Sequence, residues 1–184
     1  FMSVLGCDLL HQIVDENQIT EPEVILSELD RRVSQTLRQS FGGDSKDGMD
    51  AALIVLHAPN ADGSRIIDYA GAGRPLWHLH GGEVKEYKSA KYSCGGSQHE
   101  DKEYPASQIQ VSAGDRIFIF SDGPVDQFGG PKGRKLGSKQ LQSFLRGTST
   151  HNIADQGESF YAFCNDWMKN TTQLDDVLLL GLSL

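Results

Sequence analysis

Cysteine is scarce, positive charge is outnumbered and no apolar run is long; each shortage removes a class of function. Three cysteines, Cys7, Cys94 and Cys164, stand far apart and are odd in number, which argues against a disulfide framework and for a reducing compartment. No Cys-x-x-Cys pair exists to hold a structural zinc. A cysteine-phosphatase cradle needs Arg six positions after its nucleophile, and those positions hold Ile13, Glu100 and Asn170. Seventeen Lys and Arg against 25 Asp and Glu leave a net charge of −8, so the surface repels polyanions and general nucleic-acid binding is not expected. The longest apolar stretch, 177–184, is broken by Gly181 and falls far short of the ~20 residues that cross a bilayer. With 6 Pro, 20 Gly, 38% apolar and 23% charged residues in 184, the composition is that of one globular domain, or of a domain lacking a piece.

What is present reads as segregated helices and strands. Val4, Leu5, Leu9, Leu10, Ile13 and Val14 recur at helical spacing and predict a helix to about Asp15. Thr20-Glu21-Pro22-Glu23 reads as a capping box with Pro in the first turn, ahead of Val24, Leu26, Leu29, Val33 and Leu37, with a stop before Gly42-Gly43. Short β-prone runs follow at 51–57, 64–70, 76–80 and 83–88, divided by Gly-rich turns, and predict an antiparallel meander. The polar stretch 89–104 is expected to be a long loop, with a mobile cover as its guessed role. A further hairpin is expected from 109–111 and 116–121 around Ala113-Gly114-Asp115, then helices at 138–146 and 152–169 and a last strand at 177–183. Helices, a block of strands, helices and a final strand make an α+β fold rather than an alternating one. The opening Phe1-Met2-Ser3-Val4-Leu5 has no signal-peptide charge ahead of it, and the chain is expected to be truncated at its start.

Motifs narrow the chemistry further. No Walker A frame fits around 129–138, and Gly71-Ala72-Gly73 lacks the third glycine of a dinucleotide fingerprint, which leaves a tight turn. His78 and His80, two apart on a strand, face one way as a metal pair would, but no third ligand is in view and solvated or packed histidines are the alternative. In Ile117-Phe118-Ile119-Phe120-Ser121-Asp122-Gly123 a hydrophobic strand ends in an aspartate; in Asp175-Asp176-Val177-Leu178-Leu179-Leu180 aspartates precede one. If these strands pair antiparallel, Asp122 and Asp175 reach the same sheet edge. Carboxylates that converge are tolerated around a hard divalent cation, Mg²⁺ or Mn²⁺, and the chemistry this implies is metal-assisted hydrolysis. An ordinary turn and an ordinary acidic pair remain the alternative. Lys132, Arg134 and Lys135 form a basic loop that would attract a phosphorylated or acidic partner, or simply be solvated.

Six segments, 1–6, 47–53, 69–76, 114–123, 126–130 and 175–177, together resemble the metal-dependent protein phosphatase family (protein phosphatase 2C-like), in its bacterial SpoIIE-like branch. The resemblance runs over nearly the whole chain, residues 1–184. It implies two antiparallel sheets packed as a sandwich flanked by helices, a binuclear Mn²⁺ or Mg²⁺ centre, and hydrolysis of phosphoserine or phosphothreonine on a protein by a metal-activated water, with no covalent intermediate. Asp122 and Asp175 match metal-binding aspartates of the family, and Asp176, Gly123 and Asp126 are expected around them. Asp47 and Asp50 are not expected to be ligands. The family's early aspartate and its Asp-x-x-Gly-His-Gly segment belong upstream of Phe-Met-Ser, so the remaining ligands and the activity are assigned to a longer protein. The resemblance also implies a phosphorylated substrate such as an anti-sigma-factor antagonist, an upstream sensor region, in some relatives membrane-bound, and a cytoplasmic setting for this domain. A non-catalytic, phosphoprotein-binding module of the same fold is the second reading.

Overall fold

Leu9 and Ile13 lie on one helical face, and both are buried in α1 (Met2–His11) and the π-helical turn that continues it over Gln12–Glu16. The helix reaches as far as the periodicity requires, but its last turn is widened: the amide of Asn17 donates back to the carbonyl of Gln12 at 3.0 Å, five residues earlier. The computed structural model describes residues 1–41, 47–96, 101–169 and 171–184. Helix α2 (Pro22–Phe41) buries Ile25, Leu26, Leu29, Val33 and Leu37 and turns Val24 outward, 41% exposed. It begins one residue later than a Thr20 cap demands, because the carbonyl of Glu21 accepts from Val24 and Ile25 at 3.0 and 2.9 Å. The expected Gly42-Gly43 stop lies outside the described residues.

Strands β1 (Gly48–Met49), β2 (Ala51–Leu56), β3 (Arg65–Ala72), β4 (Leu76–His80), β5 (Glu83–Tyr87), β6 (Cys94–Gly95), β7 (Ser107–Val111) and β8 (Arg116–Phe120) follow. Next come α3 (Gly123–Asp126), β9 (Phe128–Gly129), β10 (Arg134–Lys135), α4 (Gly137–Gly147), α5 (Ile153–Met168) and β11 (Leu179–Ser183). The four central runs are strands as the sequence predicts, but they do not form one meander. β3 pairs with β2 and β7, whereas β4 joins a second sheet of order β11-β8-β4-β5. The chain leaves β3 at Gly73, whose φ of +71° suits glycine and whose missing Cβ makes room for the Asp50 carboxylate, 2.6 Å from where that atom would stand. Gly71 and Ala72 belong to β3 itself, so the tight turn begins only at Gly73. Likewise β7 and β8 make no hairpin: β7 is an edge partner of β3, and β8 lies between β4 and β11. Its sequence explains the central place, because four of its five residues are buried and such a strand needs cover on both faces.

The chain divides into two compact units, Phe1–Pro75 with Lys88–Ser112 and Leu76–Tyr87 with Ala113–Leu184. In the first, α1 and α2 pack on Ala70 and Ala72 of β3 and on Ala90, Cys94 and Tyr104; small residues on the strand let the helices approach closely. The stretch expected as a loose loop is therefore largely packed. β6 pairs with β1, Ala90 bridges to Ala72, and the Lys102 ammonium, 4% exposed, meets Asp30 Oδ1 at 2.7 Å and the carbonyls of Ser93 and Gly95 at 3.0 and 2.6 Å. Residues 97–100 lie outside the described residues. In the second unit, α4 and α5 cover the sheet face formed by Trp77, Leu79, Phe118 and Phe120, contributing Leu141, Leu145, Phe160 and Cys164. The buried Arg116 guanidinium ties β8 to α5, donating to Gln156 Oε1 at 2.6 Å and to the carbonyl of His151.

Candidate metal centre

A buried hydrophobic strand that ends in a polar turn delivers its last side chains to a sheet edge, and β8 does this with Ser121-Asp122-Gly123. Its partner there is β11, antiparallel, with Leu179 opposite Phe120 and Ser183 opposite Arg116. Beyond the regular ladder, the Ser121 amide donates to the Leu178 carbonyl at 3.1 Å, its hydroxyl donates to the Asp176 carbonyl at 2.7 Å, and the Leu178 amide donates to that hydroxyl at 3.0 Å. Segments 121–123 and 176–178 thus run side by side at one end of the sheet. Gly123 is required for this closeness: a Cβ there would stand 2.3 Å from the Asp176 carbonyl oxygen. Asp122, half-buried, stands at the N-cap position of α3 without a side-chain capping bond, and the first turn of that helix contains Pro124.

Asp175 and Asp176 are exposed just before the strand. The Asp175 carboxylate accepts from the Asp176 amide at 2.8 Å, and the Asp175 carbonyl accepts from the Gln173 side chain at 2.9 Å. Asp176 meets the β8 end through its backbone. The residue that steers this segment is Gln127, which sequence reasoning passed over. Its side chain is 4% exposed, donates to the carbonyls of Phe128 and Thr172 at 3.0 Å each and accepts from the Leu174 amide at 3.2 Å. A lone Gln after a short helix carries no signal of that role, because the segment it holds, through Thr172 and Leu174, lies over forty residues away.

The other candidates fall nearby in sequence but differ in state. Asp126 is held by Lys135, with Nζ 3.0 Å from Oδ1 and both side chains 52% exposed; such a pair is worth under about 1 kcal/mol and gives way easily. Lys132 and Arg134 are exposed on the β9–β10 turn, which is seated by the packing of Gly129 and Gly130 against Trp167. In the first unit Asp50 pairs with Arg74 at 2.8 Å and accepts from the Ser93 hydroxyl, while Asp47 is exposed.

The contacts between Ser121 and residues 176–178 set the Asp122-bearing and Asp175-bearing segments next to each other, and carboxylate is the ligand type that a hard divalent cation such as Mn²⁺ or Mg²⁺ takes in preference to sulfur. Among the described residues, one group of three potential ligands has its donor atoms within 4.8 Å of one another, and it lies at the other end of β8: His78, His80 and Asp115. The sequence shows the His-x-His pair; its third member is found only through the β4–β8 register, which sets His78 opposite Ile117 and Leu79 opposite Arg116.

The sequence profile described as Stage II sporulation protein E (SpoIIE) matches residues 1–184. No curated protein sequence matches the chain significantly. Among solved structures, the SiaA-PP2C domain of Pseudomonas aeruginosa is 24% identical, with a TM-score of 0.82 over 100% of this chain and 69% of that one. The phosphatase domain of the cell fate determinant SpoIIE from Bacillus subtilis is 16% identical, with a TM-score of 0.55 over 97% of this chain and 72% of that one. The catalytic domain of the serine threonine protein phosphatase PstP, in complex with 2 manganese ions, is 13% identical, with a TM-score of 0.59 over 97% of this chain and 78% of that one. These likenesses show the fold: a mixed α+β arrangement of antiparallel sheets and helices of the PP2C phosphatase type.

Proposed function

Because the chain belongs to the SpoIIE family of PP2C-type phosphatase domains, we propose that it serves a metal-dependent serine/threonine protein phosphatase, with Asp122 and Asp175 among the ligands of Mn²⁺ or Mg²⁺. The observation that carries this reading is the clamp of 121–123 against 176–178, which brings two aspartate-bearing segments from distant parts of the chain to one edge. The manganese ions of PstP support the choice of metal. When bound, the metal pair supplies Lewis acidity and an activated water for in-line attack on a phosphoryl group. The chain's own residues hold the edge: Ser121 and Gly123 keep the two segments in contact, and Gln127 holds 172–174 so that Asp175 leaves the loop in a set direction.

The substrate in this reading is a phosphorylated signalling protein, such as an anti-sigma-factor antagonist, under the control of a sensor region in the full-length protein. Lys132, Arg134 and Lys135 are cations on the same unit and favour a phosphorylated or acidic surface. Among the described residues, Asp122 and Asp175 do not share a group of three donors. That observation favours the second reading, a phosphoprotein-binding module without turnover. The test is hydrolysis of a phosphoserine peptide by the full-length protein with Mn²⁺, against Asp122→Asn and Asp175→Asn. The phosphatase reading expects loss of turnover in both variants with the fold intact. Full turnover in both removes the assignment of these aspartates; peptide binding with no hydrolysis by the wild-type protein supports the module.

A further inference from the structure

The cluster of His78, His80 and Asp115 takes no part in that reading. Asp115 is separated from Asp122 by the whole of β8, roughly 20 Å at the rise of an extended strand. His78 and His80 project from β4 on one face, and Asp115 immediately precedes β8, so the neighbouring strands bring the three together. Asp115 Oδ2 lies 2.9 Å from His78 Nε2 and Oδ1 lies 2.7 Å from His80 Nδ1. The carboxylate and His78 side chains are 5% and 9% exposed, whereas the His80 side chain is 68% exposed. Asp115 is also fixed through its backbone: its carbonyl accepts from Leu184 at 3.1 Å, and the preceding Gly114 amide donates to the Leu184 carbonyl at 2.8 Å. Lys85, the cross-strand neighbour of His78, has its Nζ 4.5 Å from the centre of the Tyr87 ring, which gives that cation a partner of its own.

From this geometry we propose that His78, His80 and Asp115 form a binding site for one zinc-class transition-metal ion, separate from the Asp122 edge. Two imidazole nitrogens and a carboxylate oxygen are a three-ligand set for Zn²⁺ that leaves the fourth tetrahedral position to water, and the exposed side of His80 supplies the access for that water. Ligands about 2.0–2.1 Å from zinc in a tetrahedron stand about 3.3–3.4 Å apart. The present contacts, 2.9 Å from His78 Nε2 to Oδ2 and 2.7 Å from His80 Nδ1 to Oδ1, therefore need to open by about half an ångström, and each ring passes its proton to its other nitrogen by exchange with water so that the nitrogen facing Asp115 offers a lone pair to the metal. The exposed His80 ring is free to move that far, and a small rotation of the Asp115 carboxylate about its side-chain bonds opens its contact with His78. The ion would staple β4 to the start of β8 and stabilise the fold by mass action.

The test is calorimetric titration of the full chain carrying Asp122→Asn and Asp175→Asn with Zn²⁺, repeated with Co²⁺ to read the absorption of its coordination sphere. The expected result is one equivalent of either metal bound, the tetrahedral cobalt spectrum, and a rise in Tm with Zn²⁺. His80→Ala, at an exposed position, should still melt cooperatively without metal and lose tenfold or more in affinity. Asp115→Asn is the second variant and should lose the cobalt spectrum. Absence of zinc binding in the parent, or equal affinity in parent and His80→Ala, overturns the proposal.

Discussion

Gly123 and Asp176 approach so closely that a Cβ on the glycine would stand 2.3 Å from the aspartate's carbonyl oxygen. The obstacle is backbone, already engaged by the Ser121 hydroxyl, so it cannot swing aside as a flexible side chain would. Gly123→Ala is expected to cost about 1–3 kcal/mol by forcing the segments apart. That is about 2–4 °C in Tm for each kcal/mol in a chain of this size. It should also weaken Mn²⁺-dependent turnover of the full-length protein. Thermal melting and phosphopeptide hydrolysis check both, and an unchanged Tm would show that the clamp yields.

Gln127 holds the same end of the sheet through polar bonds. Replacing it with Leu keeps volume but strips a buried side chain of its bonds to Thr172 and Leu174. The expected cost is about 2 kcal/mol, since the partner groups lose a buried partner but can reach water. Amide hydrogen exchange gives the sharper readout: Leu174 should exchange faster in the variant, while amides of β8 keep their protection.

Lys102 and Asp30 form a pair in which the cation is more deeply buried than its partner, 4% against 22% exposed. Removing one member should cost about 3–5 kcal/mol because the other charge is left uncompensated. Lys102→Met is therefore expected to destabilise more than the double variant Lys102→Met with Asp30→Asn. Denaturant titration of the single and double variants measures the coupling, and additive losses would dismiss it.

Burial pushes the Cys94 thiol up to about 12 and the Cys164 thiol up to about 11, while Cys7 is exposed. A buried thiol with so little thiolate reacts slowly, so a maleimide at neutral pH should label one cysteine per folded chain and three after unfolding. Both thiols prefer the protonated form when folded, so their contribution is full below the ordinary thiol value and is lost as pH rises through 11 to 12. Unfolding midpoints across alkaline pH should fall, and Cys94→Ala should fall less steeply.

The helices and most strands are legible in the sequence because their signals are local. Leu26, Leu29 and Val33 recur at helical spacing and are buried together, and Leu76–His80 and Glu83–Tyr87 are joined by a Gly-Gly turn and pair as expected. Partnership between distant strands carries no such signal. Ala113-Gly114-Asp115 looks like a hairpin turn between two β-prone runs, yet those runs separate into different sheets. The polar stretch after Ser89 looks loose until Lys102 and Tyr104 find their partners.

By itself the sequence determined what could exist: the element types, the two aspartate-bearing segments, and the exclusion of a cysteine-phosphatase cradle and a Walker A loop, since each depends on residue identity and short-range spacing. Only the tertiary structure decided what meets: Gly123 against Asp176, Gln127 under 172–174, and Asp115 between two histidines. The physical reason is that strand register is set by which faces are buried in common. That choice is made by the whole chain at once and by no segment alone.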